Sequence, residues 1–372
     1  MSYYLDNAAT MPLSSKMKEY LTSMLDVFGN PSSGHSEGVK SIRLIEEVRE
    51  KVTRLIGADS HESIYFTSSG SASNTLGIQG YTIAVKCNVL YSPIVHKSIL
   101  KTICNLEEMY GVNATELKVD NYGNIDIDYL EQVLSDSGDT LVVVEYANSE
   151  IGTIQNIKTI SDIVHKHNGK LFVDCTGSIS TIPLDVLGLN IDIATFSTHK
   201  IGALKGVGVL YKKTDIAMIP LVFGSQEQGL FGGTENVLGI LSLGKAIDLL
   251  NYIKTSQGRD FVWNNIKELE GISLVGAPLD MNRLTNNLYV CIKDVRGSDI
   301  VALMDDVYKI QISTGSACNN GSPIPSTVAL AIGLSEEEAG SCVRISFSGN
   351  ETEDELKEFC KSFSACIRML RN

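Results

Sequence analysis

Lys200 is the residue of this sequence whose position points most directly to chemistry. It lies in the stretch STHKIGALKGVGVLY (197–211), between the end of one apolar segment and the beginning of another. A partly buried lysine amine is costly unless it is paired or takes part in a reaction, and lysine amines form Schiff bases with aldehydes. Taken alone, a lysine in this position is more often a surface residue whose aliphatic stem covers apolar neighbours.

Three other features also follow apolar segments. Asp174 ends the segment FVD, and its ordinary interpretation is a cap for a turn or helix. The segment TSSGSASNTL (67–76) places small and hydroxylic residues between a predicted strand and a predicted helix. Backbone N–H groups at such a junction bind phosphate, or an ordinary N-cap satisfies them. His96 follows a further strand, in PIVHKS, where a surface histidine is the ordinary interpretation.

The elements that position these residues alternate between apolar strands and amphipathic helices. In residues 36–56, apolar residues recur at three- and four-residue spacing, which predicts a helix that ends at Gly57. The alternation predicts an α/β fold with a mostly parallel sheet covered on both faces. The predicted strands are SIYFTSS (63–69), NVLYSPI (88–94), TLVVVEYA (140–147), KLFVDCT (170–176), IDIATFS (191–197) and GVGVLYK (206–212).

A ligand site is expected at the carboxyl ends of these strands, where open α/β sheets bind their ligands. Lys200, Asp174, His96 and the segment 67–76 all lie at these ends. A phosphate-binding turn, a carboxylate and a lysine are together what pyridoxal phosphate requires. The lysine bonds its aldehyde, and the acid keeps its pyridine nitrogen protonated so that the ring accepts electrons. Each feature is a weak signal by itself, but the combination favours a pyridoxal-phosphate enzyme.

The alternation of strands and helices changes after about residue 255. TNNLYVCI (285–292) and CVRISFS (342–348) are predicted strands, and TEDE (352–355) is a capping-box sequence before a final amphipathic helix. These patterns predict a large α/β domain and a smaller α+β domain that the opening residues join. We place the large domain at residues 16–250 and the small domain at residues 1–15 and 251–372.

The 372-residue chain has a formal net charge of −13, which argues against direct binding of nucleic acid through a cationic face. No apolar run is long enough to span a bilayer, and the opening MSYYLDNAAT lacks the basic and apolar regions of a signal peptide. We therefore expect a cytoplasmic protein that binds neither nucleic acid nor membrane. The eight cysteines include no C-x-x-C pair, so no metal site is predicted, and most of them are expected to be buried.

Over nearly its whole length the sequence resembles the class V aminotransferases and, among them, the cysteine desulfurases of the NifS/IscS type. A series of segments in the family's order carries the resemblance and is more specific than any one motif. The segments are YLDNAAT (4–10), FGNPSS (28–33), VHKSIL (95–100), EIGTIQNI (150–157), VDCTGS (173–178), STHKIGALKGVGVLY (197–211), GGTEN (232–236), STGSAC (313–318) and VRISFS (343–348). The resemblance implies fold type I of the pyridoxal-phosphate enzymes, with a mostly parallel, seven-stranded sheet in the large domain.

The resemblance also implies catalytic and substrate-binding roles for matching residues. Lys200 would form the Schiff base with the cofactor, Asp174 would contact the pyridine nitrogen, and His96 would stack on the ring and help move protons. Arg344 would hold the carboxylate of L-cysteine through a bidentate pair, a task that lysine performs poorly. Asn30 would also lie in the substrate site.

The implied cofactor site takes in residues from several segments and from two subunits. Gly70, Ser71, Ser197 and His199 would hold the phosphate within one subunit, and Ser149 would contact the cofactor ring. Thr234 would reach the phosphate of the other subunit, which implies a homodimer.

Cys318 is the cysteine for which a chemical role is expected. The segment 313–326, STGSACNNGSPIPS, is rich in Gly, Ser, Asn and Pro, which is typical of a mobile loop. A thiol on such a loop is prone to oxidation, so the presence of a cysteine there indicates that it has a chemical role. The resemblance implies that the Cys318 thiolate takes the sulfur of L-cysteine as a persulfide, that L-alanine is released, and that a sulfur-acceptor protein receives the sulfur. Acceptors of this family serve Fe-S assembly, tRNA thiolation or DNA phosphorothioation.

Several positions depart from the family pattern. Ala72 stands where glutamate is usual, Ser149 where an asparagine contacts the cofactor, and Gly177 where a glutamine binds the phenolic oxygen. The loss of two donors is expected to weaken cofactor retention, with a water filling the space at Gly177. These departures keep two alternatives open. One is another class V enzyme, such as a selenocysteine lyase, another lyase or an aminotransferase, and the other is a weakly active or non-catalytic homologue acting as a partner protein.

Overall fold

The computed structural model describes residues 3–315 and 325–371. Its strands, numbered in chain order, are β1 (Tyr3–Tyr4), β2 (Ile64–Thr67), β3 (Asn88–Tyr91), β4 (Ala114–Glu116), β5 (Thr140–Glu145), β6 (Lys170–Asp174), β7 (Ile193–Ser197), β8 (Gly208–Lys212), β9 (Ile272–Leu274), β10 (Asn287–Ile292), β11 (Ile310–Gln311) and β12 (Cys342–Ser346).

The α-helices lie between these strands. They are α1 (Ser15–Met24), α2 (Ser36–Leu55), α3 (Gly70–Thr75), α4 (Tyr81–Val85), α5 (Lys97–Tyr110), α6 (Ile127–Asp136), α7 (Ile157–Lys166), α8 (Val237–Leu249), α9 (Gln257–Ile266), α10 (Gly297–Tyr308), α11 (Thr327–Ala331), α12 (Glu336–Gly340) and α13 (Glu353–Arg371). A π-helical turn at Leu76–Gly80 joins α3 to α4. Short 3₁₀ turns occur at His61–Ser63, Thr198–Ile201 and Glu227–Gly229.

A seven-stranded sheet in the order β2-β8-β7-β6-β5-β3-β4 forms the centre of the larger part of the molecule. Neighbouring strands from β7 to β4 are parallel, and β8 runs antiparallel to both of its neighbours. The strand β2 therefore runs in the same direction as β7. This arrangement confirms the predicted α/β fold with a mostly parallel, seven-stranded sheet.

Helices cover both faces of this sheet, so its strands are buried on both sides. On β5, Val142 and Val144 enter one hydrophobic core, whereas Leu141 and Val143 enter the core on the opposite face. This alternation follows from the two-residue period of a strand. It explains why the central strands are apolar along their whole length.

The smaller part of the molecule has its own sheet and its own core. β12, β10 and β9 form an antiparallel sheet in that order, and β1 pairs in parallel with β11. Leu5, near the start of the chain, packs into a core that also includes Leu288, Phe359 and Phe363. The separate cores support the proposed division at residues 15/16 and 250/251, which stays a prediction.

The predicted strand positions are confirmed, although each observed strand is shorter than its apolar segment. The capping box at the start of α13 is also confirmed, since Glu355 N donates to Thr352 Oγ1 at 3.3 Å and Thr352 N donates to Glu355 Oε2 at 2.7 Å. Two details differ from the sequence pattern. The short strands β1, β4, β9 and β11 were not predicted, and Val39, part of the apolar pattern of α2, is 53 % exposed.

Candidate active site

Six strands of the large sheet run in the same direction and end at one edge of it, and the predicted site features lie just beyond four of these strands. The segment 67–76 follows β2, His96 follows β3, Asp174 ends β6 and Lys200 follows β7. The parallel sheet thus brings these four features to the same edge, as the expected position of a ligand site requires.

Asp174 is buried at this edge, with 3 % of its surface exposed. Its Oδ2 accepts a hydrogen bond from Asn74 Nδ2 at 2.7 Å, and its Oδ1 accepts one from Thr176 N at 2.8 Å. Both donors are neutral, so they orient the carboxylate without cancelling its charge. A buried carboxylate held in this way is suited to a cationic partner, such as a protonated ring nitrogen.

Lys200 is half-buried in the 3₁₀ turn that follows β7, and Gly202 closes this turn with a φ of 82°. The ammonium Nζ donates to the carbonyl oxygen of Ala8 and, at 3.1 Å, to that of Ala9. Ala8 and Ala9 belong to the opening segment, which leaves β1 and passes over the sheet edge. The N-terminal segment therefore holds the lysine amine at the site.

His96 is the N-cap residue of α5 and lies beside Asp174 and Lys200. Its Nδ1 accepts a hydrogen bond from Ser98 N at 3.1 Å and lies 2.8 Å from Ser98 Oγ. His96 is exposed at the surface, but the protein atoms packed around its ring desolvate the imidazole and lower its pKa. Asp174 raises the pKa of His96, whereas Lys200 and Lys97 lower it. The imidazole is consequently neutral at neutral pH.

Glu145, which ends β5 next to Asp174 on β6, is a site residue that the sequence analysis missed. Its Oε1 accepts from the backbone N of His96 at 2.7 Å, and its Oε2 accepts from Asn148 Nδ2 at 3.0 Å. Burial of the carboxyl group, together with the charge of Asp174, raises the pKa of Glu145 well above its usual value. The signal was present in the sequence, because TLVVVE ends in an acid just as FVD does.

The turn after β2 packs closely against the end of β7. A Cβ atom at Gly70 would lie 2.9 Å from Ser197 Cβ, so glycine permits this contact. Ser69 caps α3 by accepting a hydrogen bond from Ala72 N at 3.1 Å, and Ser71 is exposed in the same turn. The structure thus brings the predicted phosphate-binding residues Gly70, Ser71 and Ser197 together.

His199 lies two residues beyond Ser197 and contacts the opening segment of the chain. Its Nδ1 lies 3.1 Å from Thr10 Oγ1. Burial of the ring lowers the pKa of His199 to about 4, and the positive charges of Lys200 and Lys205 add to this effect. His199 is therefore a neutral hydrogen-bonding group at neutral pH.

Arg344 lies on β12 of the small sheet and is 2 % exposed. Its Nη2 donates to Asp6 Oδ1 at 2.7 Å, and its Nη1 donates to Ser149 O at 3.3 Å. Its Nε is buried and has no hydrogen-bond partner among the described residues. The arginine predicted to bind the substrate carboxylate is thus ion-paired with Asp6, a residue that sequence analysis did not assign.

Lys200, Ser149 and Gly177 line one small cavity together with Asn7 and Thr176. A Cβ atom at Gly177 would lie 2.2 Å from Ala147 O, so the backbone of Ala147 occupies the place of a side chain. The expected water at Gly177 stays a prediction, since Gly177 also lines the small cavity. Glycine is required here by close contact between two backbone segments.

Three other predicted residues lie apart from this group or outside the described residues. Thr234 is exposed and lines a separate cavity with Thr67 and Ser68 at the end of β2. Asn30 is exposed, and its Oδ1 accepts a hydrogen bond from Ser32 N within its own loop at 2.9 Å. Cys318 lies outside the described residues.

In residues 3–315 and 325–371, no cluster of three or more His, Cys, Asp or Glu side chains is arranged to hold a metal ion. No helix in this part of the chain has both the length and the apolar character needed to cross a bilayer.

The family described as Aminotransferase class-V matches residues 3–359. The chain therefore belongs to the class-V aminotransferase family. Within this family, its similarity extends over whole chains to cysteine desulfurases, and the enzyme is one of this type. Cysteine desulfurase IscS 1 of Archaeoglobus fulgidus is 36 % identical, with 99 % of this chain and 98 % of that protein covered.

Solved structures show the same relationship. A NifS-like protein from Rickettsia africae is 30 % identical, with a TM-score of 0.89 over 99 % of this chain and all of that one. SspA, solved in complex with cysteine, is also 30 % identical, with a TM-score of 0.81 over 95 % of this chain and all of that one.

Proposed function

We propose that this cysteine desulfurase uses pyridoxal phosphate to convert L-cysteine to L-alanine and a persulfide at Cys318. The observation that carries the proposal is the convergence of Lys200, Asp174 and His96 at one edge of the sheet. Similarity to cysteine desulfurases over nearly the whole chain supports the same reaction. The acceptor of the sulfur is a protein of Fe-S assembly, tRNA thiolation or DNA phosphorothioation.

The chemistry of the donor set fits pyridoxal phosphate. Asp174 presents a buried carboxyl group oriented by Asn74, which suits a protonated pyridine nitrogen. Lys200 presents the amine for the aldehyde, and the turn formed by Gly70, Ser71 and Ser197 presents backbone N–H groups and hydroxyls for the phosphate. The cofactor, when bound, supplies an electron sink for bond cleavage at the substrate. His199 and Ser149 complete the proposed contacts.

The protein groups around the substrate have distinct tasks. Arg344, held by Asp6, offers its unpaired Nε and remaining hydrogen-bond donors to the carboxylate of L-cysteine. Lys200 Nζ and the neutral imidazole of His96 lie beyond neighbouring strand ends, and we assign the transfer of protons to them. Asn30 is proposed as a further substrate contact.

Cys318 is the proposed sulfur acceptor within the enzyme. Its thiolate attacks the sulfur of the bound substrate, so an S–S bond forms while the Cβ–S bond of the substrate breaks. The electron pair of the broken bond stays with the substrate carbon, which takes up a proton and leaves as part of L-alanine. The sulfur remains on Cys318 as a persulfide and passes to the acceptor protein.

We further propose a homodimer in the cytoplasm that binds neither nucleic acid nor membrane. Thr234 lies in an exposed segment and would reach the phosphate site of the second subunit. Phe223 and Val222, in the same region of the chain, are 86 % and 43 % exposed, which suits them to a subunit contact. The net charge of −13 favours an acceptor protein with a basic surface.

The proposal is tested by the absorption spectrum of the purified enzyme before and after addition of L-cysteine. We expect a visible band from the bound cofactor that changes when L-cysteine is added and is lost in Lys200→Ala. In Cys318→Ser the band should remain, whereas release of alanine should stop. Normal turnover by Cys318→Ser would contradict the persulfide mechanism. Preferential formation of a keto acid would instead support an aminotransferase.

A further inference from the structure

Asn74 connects the carboxylate of Asp174 to α5. Asn74 is 2 % exposed, and its Nδ2 donates to Asp174 Oδ2 at 2.7 Å and to Ser98 Oγ at 3.2 Å. Its Oδ1 accepts a hydrogen bond from Thr195 Oγ1 at 2.5 Å. Because a carboxylate can only accept, the amide nitrogen must face Asp174. The orientation of the Asn74 side chain is therefore fixed by its partners.

Ser98 continues this connection to His96. Since Ser98 Oγ accepts from Asn74, its own hydrogen is directed to His96 Nδ1, 2.8 Å away. The backbone N of Ser98 also donates to the same Nδ1 at 3.1 Å. A ring nitrogen that accepts from two donors carries no hydrogen of its own. The hydrogen of the neutral imidazole consequently lies on Nε2.

We propose that Asn74 and Ser98 are positioning residues that hold His96 in its Nε2–H tautomer and connect it to the carboxylate of Asp174. The bridge runs from Asp174 at the end of β6 through Asn74, near the end of α3, and Ser98 to His96 Nδ1 at the start of α5. Its effect on catalysis rests on the proposed function, in which His96 transfers protons. The ring nitrogen that faces the reaction is then Nε2.

The bridge also disfavours the protonated imidazolium. A hydrogen on Nδ1 would meet the Ser98 N–H and would require the Ser98 hydroxyl to turn away from the ring. The other groups that act on the ring are Asp174 from β6, Lys200 from the turn after β7, and Lys97 of α5. Glu145 of β5 contacts the His96 backbone N rather than the ring nitrogens. Loss of the bridge therefore makes protonation of His96 easier.

The test uses two bridge variants and one matched control in the cofactor-loaded enzyme. Ser98→Ala removes the hydroxyl at His96 Nδ1 and leaves Asn74 and Asp174 in contact. Asn74→Ala removes the hydrogen bonds to both Asp174 and Ser98. Thr102→Val is the control. Thr102 Oγ1 donates to Ser98 O at 2.8 Å and lies 3.0 Å from Thr75 Oγ1, so it belongs to the same helix contact but not to the bridge.

The primary readout is the ¹⁵N spectrum of histidine-labelled enzyme, with the His96 signals assigned by their absence in His96→Gln. We expect the wild type to show a hydrogen on Nε2 and none on Nδ1. In Ser98→Ala the pH of protonation should rise by roughly 0.5–1 unit, because one hydrogen bond to the neutral form is lost. The acid limb of the pH profile of kcat should shift to higher pH by the same amount, whereas in Thr102→Val it should stay at the wild-type pH.

A hydrogen on Nδ1 in the wild type would overturn the proposal. An unchanged pH of protonation in both Ser98→Ala and Asn74→Ala would do the same. Asn74→Ala should in addition release the cofactor more readily than Ser98→Ala, since it alone removes a donor to Asp174. If the tautomer is as expected but L-cysteine gives no alanine, the bridge stands and the proposed function fails.

Discussion

Arg344 Nη2 donates to Asp6 Oδ1 across 2.7 Å, although the two residues lie 338 positions apart in the sequence. The contact joins β12 to the opening segment just before Ala8 and Ala9, whose carbonyls accept from Lys200. The proposed carboxylate-binding residue and the proposed Schiff-base lysine are therefore both positioned by the same short segment. Asp6 also offsets the charge of a guanidinium that is almost fully buried.

Arg344→Lys tests the role of the guanidinium in substrate binding. Lysine keeps the charge but cannot make a bidentate contact, so the KM for L-cysteine should rise by roughly 10- to 100-fold. The cofactor absorbance should stay unchanged. Arg296→Lys is the matched control, because Arg296 is an exposed residue paired with Asp299 at 3.1 Å. An unchanged KM in Arg344→Lys would mean that another group binds the carboxylate.

Gly177→Ala tests the close backbone contact at the edge of the site. The added Cβ would lie 2.2 Å from Ala147 O, and we expect the free energy of unfolding to fall by about 1–3 kcal/mol. Denaturant unfolding measures this change. The control is Gly34→Ala, since a Cβ at Gly34 meets no atom within 4 Å. Equal stability of the two variants would show that the turn at residues 176–178 adjusts freely.

His199 should make the folded enzyme sensitive to mild acid. Its pKa is lowered to about 4 by burial and by neighbouring lysines, so the unfolded chain binds a proton at a higher pH than the folded chain. Its contribution to stability is present above about pH 6.5 and is lost as the pH falls towards 4. We expect the Tm of His199→Asn to depend less on pH in this window than the Tm of the wild type. Parallel Tm curves would contradict this assignment.

The contribution of Asp192 to stability should be lost in a more acidic pH range than that of His199. It is fully buried and accepts from His165 Nε2 at 2.7 Å, Leu171 N at 2.8 Å and Lys213 Nζ at 2.9 Å. Burial opposes ionisation, but these hydrogen bonds outweigh it and hold the pKa of Asp192 below 3.8. The stabilisation is therefore full above the ordinary pKa and is lost as the pH falls through the lower folded value.

Asp192→Asn is expected to reduce the free energy of unfolding at pH 7 by about 1–3 kcal/mol, because the half-buried Lys213 loses its counter-charge and the surrounding donors lose a charged acceptor. The difference from the wild type should shrink in acid, below about pH 4. Urea unfolding at several pH values measures both effects. Asp162→Asn is a control, since its ion pair with Lys158 is exposed. A difference that grows in acid would contradict the assignment.

The fold was predictable where the sequence carries long apolar segments. β5 and β6 are buried on both faces, and their uninterrupted apolar runs mark them clearly. The strand β4 has only three residues, of which none is buried, so no apolar pattern marks it. The exposure of Val39 was likewise hidden, because helical spacing does not show which end of α2 extends beyond the core.

The residues of the site that follow apolar strands or lie in segments typical of the family could be predicted from the sequence. Lys200, Asp174 and His96 follow apolar strands, and the sheet brings them to one edge. Asn74 and Ser98 acquire their roles through contact between two helices, which their local sequence does not encode. The close contact at Gly177 could not be predicted for a similar reason, since the backbone that occupies its Cβ position belongs to a different segment of the chain.

The central claim is that sulfur leaves L-cysteine by transfer to Cys318. The most direct measurement is intact-protein and peptide mass spectrometry of the cofactor-loaded enzyme after a single turnover, with released alanine quantified in the same sample. The account predicts one added sulfur atom on the peptide that contains Cys318 and an equal amount of alanine. Alanine formed without any sulfur on Cys318, or a keto acid formed in place of alanine, would contradict it.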